Sequence, residues 1–380
     1  MMPRAWRQRL AGTPAAPPIG VDFAAERLNM LQLGADSATG SDSAAAARVA
    51  VRAAVSVPYP MARERLFAEP RLLARFVQAA LAQAPFVGRR AYCALAPADV
   101  RILPLTVVLA PGQSEAQAVA RAAGEQIGAA VDDSVIDYYQ VRSIDGDSTE
   151  RQVLVAVAQR AQVLAYLAQL RVAGLDPVAL DIGPAAIGRL LAAMQREDLN
   201  QSVLLINFGV NKSFLTVIWG RRLMLDREID FGEVQLAGKL AASLAMAPEI
   251  ARALMREHGI GARGQAGPGC GDAAAPQPNV RRTIREILHP EFALLAEELV
   301  RTQVYVASRT RGSTLSRVYL NGSLARYPDI QERVGELVAL PVEILDPFVG
   351  FKAQPADRWP GVGPSIALAA GLALREAPRG

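Results

Sequence analysis

One pattern limits the fold of this chain more than any other, and it occurs twice. An apolar strand runs into a short turn and returns as a second strand, at residues 19–33 and again at 203–219. The first copy is Ile19-Gly20-Val21-Asp22-Phe23, followed after Ala24 to Arg27 by Leu28-Asn29-Met30-Leu31-Gln32-Leu33. Leu28 and Met30 alternate there with Arg27 and Asn29, the period of two that marks a hairpin. The second copy is Val203-Leu204-Leu205-Ile206-Asn207-Phe208-Gly209, returning as Phe214 to Trp219. Gly220-Arg221-Arg222 then makes a tight turn into a third strand, Leu223 to Asp230. A duplicated hairpin opening two halves of one chain points to a duplicated architecture.

Each half continues with alternating helices and strands, which makes the chain α/β. Leu72, Leu73, Phe76, Val77, Ala80 and Leu81 recur at helical spacing within Glu69–Gln83. Further helices are expected at Glu115–Ile127, Arg160–Ala173 (closed by Gly174), Ala185–Met194, 235–257 and Pro290–Arg309, with a last one at the C-terminal end. Strands are expected at Val49–Val57, Arg90–Leu95, Val100–Val108, Ser134–Val141, Gln152–Ala158, Val178–Asp181 and Arg317–Gly322. Residues 34–47 and 259–280 read as polar and Gly/Pro/Ala loops. A length of 380 residues suits two domains rather than one core, and a 51% hydrophobic composition is ample for both.

Several function classes are disfavoured. The 41 basic and 37 acidic residues are interspersed, so no basic face for nucleic acid stands out. Cys93 and Cys270 are two lone cysteines, neither a disulfide framework nor a zinc site. His258 and His289 lie in no nucleophile context. No stretch reaches the roughly 18–20 apolar residues of a membrane span. Arg4, Arg7 and Arg9 around Trp6 precede no apolar h-region, so residues 1–16 read as a basic tail rather than a signal peptide. Acidic turn residues Asp132, Asp133, Asp145 and Asp147 read as solvated, and Asp181 before Ile182-Gly183 as a helix cap.

In the actin/hexokinase/Hsp70 architecture, such paired hairpins approach nucleotide phosphates, an aspartate at each strand end helps hold magnesium, and a third small-residue turn packs on adenosine. The corresponding segments here are Asp22–Glu26, Asn207–Ser213 and Leu320–Ser323. Their spacing alone fits an unrelated α/β protein with ordinary hairpins equally well.

Longer blocks carry a resemblance. IGVDFAAERLNMLQL resembles the opening of PilM-family proteins, which are related to MshI, the GspL cytoplasmic domain and FtsA. VDDSVIDYYQVRS with RQVLVAVAQRAQVLAYLAQLRVAGLDPVALDIGPAAIGRLL is similar to that family's inserted subdomain and the return from it. VLLINFGVNKSFLTVIWGRRLMLDREIDFGEVQLAGKL resembles its second phosphate hairpin, and VYLNGSLARYPDIQERVGELVALPVEILDPF with GPSIALAAGLALR its C-terminal segment.

The resemblance implies an actin-like (ASKHA, ribonuclease H-like) α/β fold. Its first domain would be residues 17–88 and 175–200, its inserted α+β subdomain 89–174, and its second domain 201–376 with a flexible loop at 259–280. It further implies a bacterial, cytoplasmic scaffold at the inner-membrane face of a type IV pilus, an MSHA pilus or a type II secretion system. The implied partners are the cytoplasmic tail of a PilN-like membrane protein and the pilus or secretion ATPases. The membrane is then reached only through a partner, and self-association stays open. The nucleotide set carried over is Asp22, Ala24, Ala25, Asn207, Gly209, Asn211, Ser213, Gly322 and Ser323, with Asp22 toward magnesium and ATP as the cofactor.

Departures from the family pattern weigh against turnover. The first turn is Phe23-Ala24-Ala25-Glu26 where small Gly/Ser residues are usual, Asn207 stands for an aspartate, and Glu233 replaces a second glycine after Gly232. An amide in place of a carboxylate removes a magnesium ligand. Two alternatives on the same fold are a small-molecule kinase, which Asn207 disfavours, and an FtsA-like filament protein. The end of the chain, Leu374 to Gly380, is too short and proline-broken for the amphipathic membrane helix of the latter.

Overall fold

The computed structural model describes residues 16–34, 50–128, 132–141, 150–194, 201–220, 222–261, 277–310, 312, 314–351 and 362–376. The basic tail, Cys270, Asp145, Asp147 and most of the loops expected at 34–47 and 259–280 lie outside the described residues. The chain divides into two compact units, residues 1–99, 160–190 and 347–380 in one, and 100–159 and 191–346 in the other.

The first unit is built on a five-stranded sheet. Its strands are β1 (Ile19–Phe23), β2 (Arg27–Gly34), β3 (Ala50–Pro58), β4 (Arg90–Ala94) and β8 (Asp176–Asp181), in the order β3-β2-β1-β4-β8. β1, β2 and β3 form an antiparallel meander, while β4 runs parallel to both β1 and β8. All five residues of β1 are buried, including Asp22, as befits a central strand covered on both faces. Helices α1 (Arg63–Ala68), α2 (Pro70–Leu81) and α4 (Arg160–Val172) supply Leu66, Leu73, Val77 and Leu170 to the core against Ile19, Val21, Leu28 and Met30. Gly174 ends α4 with φ +85°, the left-handed cap that a glycine adopts without strain.

The Ala-rich C-terminal run forms α10 (Ala367–Ala373), held between β1 and α5 (Gly183–Met194) at very close range. A Cβ on Gly20 would lie 2.0 Å from the Ala369 carbonyl oxygen, and one on Gly371 would lie 2.1 Å from that of Ala186. Backbones approach so closely only where side chains are absent.

The second unit repeats the first sheet. Strands β9 (Ser202–Phe208), β10 (Ser213–Trp219), β11 (Arg222–Ile229), β12 (Leu315–Gly322) and β13 (Val342–Ile344) take the order β11-β10-β9-β12-β13. Again three strands form a meander, then the first pairs in parallel with the fourth and the fourth with the fifth. The sequence duplication is therefore a duplication of whole sheet topology. Helices α6 (Glu233–Ser243), α7 (Pro248–His258) and α8 (Gln277–Arg309) cover one face, where Phe208, Phe231 and Phe292 stack in succession at 5.9 and 5.4 Å between ring centroids. A short α9 (Ile330–Gly335) follows β12.

Two helices differ from the sequence expectation. The segment 235–257 is two helices, because Ala245 takes φ +50° and Ala247, preceding Pro248, is extended. A residue before proline is driven out of the helical region. The long helix begins at Gln277, not Pro290, which lies inside it. Proline favours the first turn of a helix, yet tertiary packing of Ile284 and Leu288 carries this helix past it on the N-terminal side.

A third sheet, β5-β7-β6, consists of β5 (Arg101–Val108), β6 (Ser134–Gln140) and β7 (Glu150–Gln159), with α3 (Glu115–Ile127) on one face. Leu103, Leu105, Val107, Val153, Val155 and Val157 meet Ala118, Val119 and Ala123 there. Ser114 and Gln117 cap α3 reciprocally as a capping box. The strands of this sheet run from Arg101 to Gln159, inside the 89–174 expected for the insert. β4 and α4, within the 89–174 range, pair and pack with the first sheet and its core.

Candidate functional site

In the first unit, Asp22 is the last residue but one of β1 and is buried. Its Oδ2 accepts a hydrogen bond from Asn29 Nδ2 at 3.0 Å. Asn29 Oδ1 accepts from Ser56 Oγ at 2.6 Å, and Arg27 Nε donates to the same hydroxyl at 2.9 Å. Burial pushes the Asp22 carboxyl up to about 6, with Asn29 and the Arg63 charge pulling the other way. The turn that follows is tied to β3: Tyr59 donates from its hydroxyl to the Ala24 carbonyl and from its backbone N–H to Glu26 O, both at 3.0 Å. Ala25 and Glu26 are exposed at its tip. Magnesium binding calls for an ionised carboxylate with oxygens facing the ion. Asp22 is buried, and its Oδ2 is already taken up by the Asn29 amide.

In the second unit, six expected residues converge where β9 and β12 end side by side. Asn207 and Asn321 are register partners, and Asn321 Nδ2 donates to Asn207 Oδ1 at 3.3 Å. The turn between β9 and β10 is closed upon itself. Gly209 N–H donates to Ser213 Oγ at 3.3 Å, and that hydroxyl donates to Phe231 O at 2.5 Å. A Cβ on Gly209 would sit 1.9 Å from the Lys212 carbonyl oxygen, so the glycine is required by the turn itself. Gly322, at φ +90°, lies so near the Phe208 carbonyl that a Cβ would be 2.0 Å from its oxygen. Asn211 is exposed, and its carbonyl abuts Gly232, where a Cβ would be 2.3 Å away. Lys212 pairs with Glu228 at 2.5 Å and Asp230 at 3.5 Å.

Three groups converge on this turn from elsewhere in the unit. Ser323 Oγ donates to Gly209 O at 3.0 Å, Glu233 N–H donates to the same oxygen at 3.3 Å, and Val234 N–H donates to Val210 O at 2.9 Å. The first amides of α6, which at a free helix N-terminus face an anion, here meet the turn's carbonyls. The Glu233 side chain is only 2% exposed. Its Oε1 accepts from the Tyr327 hydroxyl at 2.5 Å and lies 3.5 Å from Arg256 Nη2. Burial, reinforced by the Glu233 carboxylate, pushes the Tyr327 hydroxyl up to about 12. Tyr59, Arg256 and Tyr327 are not legible in the sequence as site residues, since only tertiary folding brings them to these turns.

The other sequence candidates have structural tasks. Asp181 accepts from Ile182 N–H at 2.9 Å and from Arg375 at 2.7 Å, and it pairs with Arg189, tying α5 and the C-terminal turn to β8. Burial drives the Cys93 thiol well above its usual range, leaving no thiolate nucleophile there. Among the described residues no group of three or more His, Cys, Asp or Glu stands close enough to hold a metal. No helix among them is long and apolar enough to cross a membrane.

The family model described as type IV pilus assembly protein PilM matches residues 20–264. The chain belongs to the PilM family. No curated protein matches it in sequence. A solved structure, the PilM–PilN type IV pilus biogenesis complex, superposes with a TM-score of 0.72 at 22% identity, covering 95% of this chain and 99% of that one. Ethanolamine utilization protein EutJ from Carboxydothermus hydrogenoformans follows with 0.48 at 14% identity, over 97% and 93% of the two chains. MreB5 of Spiroplasma citri bound to ADP gives 0.47 at 11%, over 95% and 96%. This PilM-family chain thus has the actin-like α/β fold, carried by its two sheets of identical topology.

Proposed function

We propose that the chain is a scaffold of a type IV pilus inner-membrane assembly complex, holding the cytoplasmic tail of a PilN-like membrane protein. The observation that carries this reading is the superposition on the PilM–PilN complex along 95% of the chain. The chemistry present agrees with it. Asn207 stands where a phosphotransferase needs an acid, which counts against the kinase alternative. The absence of a membrane-length helix among the described residues is consistent with reaching the membrane through a partner. The expected subdomain boundaries, refined to 101–159 for the inserted sheet, are part of this proposal, with that sheet taking part in tail capture.

The test is a titration of a fluorescently labelled peptide, the cytoplasmic tail of the PilN encoded by the same organism, with the purified full chain. Saturable binding that an unlabelled tail competes away, and that a scrambled peptide does not, is the expected result. Equal binding of the tail and its scramble would overturn the scaffold reading.

A further inference from the structure

We propose that Glu233 closes the nucleoside side of the second unit from within, so that this PilM-family chain does its work without bound nucleotide. A nucleotide at the second hairpin and the Gly322–Ser323 turn needs three provisions. It needs amide or hydroxyl donors aimed at phosphate, an acid for magnesium, and open, uncharged space beside the third turn for the nucleoside.

Five of the donors around this turn are spent within the chain. Gly209 N–H goes to Ser213, Ser213 to Phe231 O, and Ser323 to Gly209 O. The α6 amides of Glu233 and Val234 are spent on Gly209 O and Val210 O. The acid is missing, since the position is Asn207, whose amide oxygen accepts from Asn321.

Glu233 is buried beside the third turn. Its backbone N–H and the Ser323 hydroxyl share one acceptor, the Gly209 carbonyl, which fixes Glu233 at the junction of the second hairpin and the third turn. From there its side chain reaches Tyr327, just past the third turn, and Arg256 near the end of α7. The clasp thus joins the three elements bordering that junction. Its Oε2 is buried without a hydrogen-bond partner and its Oε1 is held by Tyr327 and Arg256, so a nucleoside entering here would have to break that clasp. Glycine at this position would leave both the space open and the charge absent.

The inference does not depend on the pilus reading, because nucleotide binding and tail capture are separate measurements. The experiment is fluorescence anisotropy of labelled ATP with magnesium on the full chain, paired with melting curves with and without ATP–magnesium. The wild-type chain is expected to give no saturable binding and no shift in Tm. The double variant Glu233→Gly, Asn207→Asp is expected to bind at least about tenfold more tightly than wild type and to melt higher with ATP. If that variant does not fold, Glu233→Ala with Asn207→Asp, which keeps the first turn of α6 helical, is read the same way. Saturable binding by the wild type, or no gain in a folded variant, overturns the proposal.

Discussion

At the residue scale, the first hairpin holds an acid in a setting that opposes its charge. Asp22 is raised from 3.8 to about 6 by burial, so it binds its proton more tightly folded than unfolded. Between about pH 4 and 6 folding takes up a proton, and stability falls as pH rises through that window; above it the cost is complete. Ionising Asp22 in the folded chain therefore costs at most about 3 kcal/mol. Asp22→Asn keeps an oxygen for the Asn29 amide and removes the charge. It is expected to raise stability at pH 8 by about 1–3 kcal/mol and to flatten the stability profile between pH 4 and 6, measured by urea unfolding. An unchanged slope would mean that Asp22 stays ionised in the folded chain. Gly209 carries a separate lesson. A bulky residue there breaks the turn against Lys212 O before any ligand is concerned, so loss of function at Gly209 says nothing about phosphate.

At the element scale, two predictions separate close packing from helix propensity. Gly20→Ala places a methyl group 2.0 Å from the Ala369 carbonyl, backbone against backbone, and α10 must lift from β1. The expected cost is about 3 kcal/mol, read as a lower urea midpoint with an unchanged m value. Pro290 is exposed inside α8 and lacks the N–H its helical position would use. Pro290→Ala is expected to stabilise by about 1–3 kcal/mol and raise Tm, since proline is the poorest residue for a helix interior. A fall in Tm would show that the proline sets a bend the core needs.

At the scale of the whole molecule, the subdomain of residues 101–159 enters and leaves through paired strands. Arg101 and Val157 are register partners in β5 and β7, so the two ends of the segment are neighbours. Replacing 101–159 by a short glycine linker is expected to leave a chain that folds cooperatively and keeps its helical circular dichroism. Both five-stranded sheets and their cores lie outside the segment, apart from Val141 at the edge of the second core. The same variant is expected to lose tail capture. Full retention of tail affinity would remove this sheet from the proposed binding surface.

The apolar runs of Ile19–Leu33 and Val203–Trp219 and the helical spacing of Leu72 to Leu81 are local signals, and each produced its element because strand and helix periods are written in adjacent residues. The blocks that resemble the PilM family likewise placed the chain in its fold and family. What the sequence could not determine depends on residues far apart along it. The limits of the inserted sheet followed from β4 and α4 pairing and packing with the first core. The extension of α8 past Pro290 came from burial of Ile284 and Leu288. The state of the hairpins was decided in the same way. Asp22 has a raised pKa because of what buries it, and the second turn is closed by Ser323 and Glu233, the latter held by Arg256 and Tyr327, most of them distant from it along the chain. Local spacing records which groups a turn carries, but hydrogen-bond satisfaction and desolvation depend on the neighbours, and only the tertiary structure supplies those.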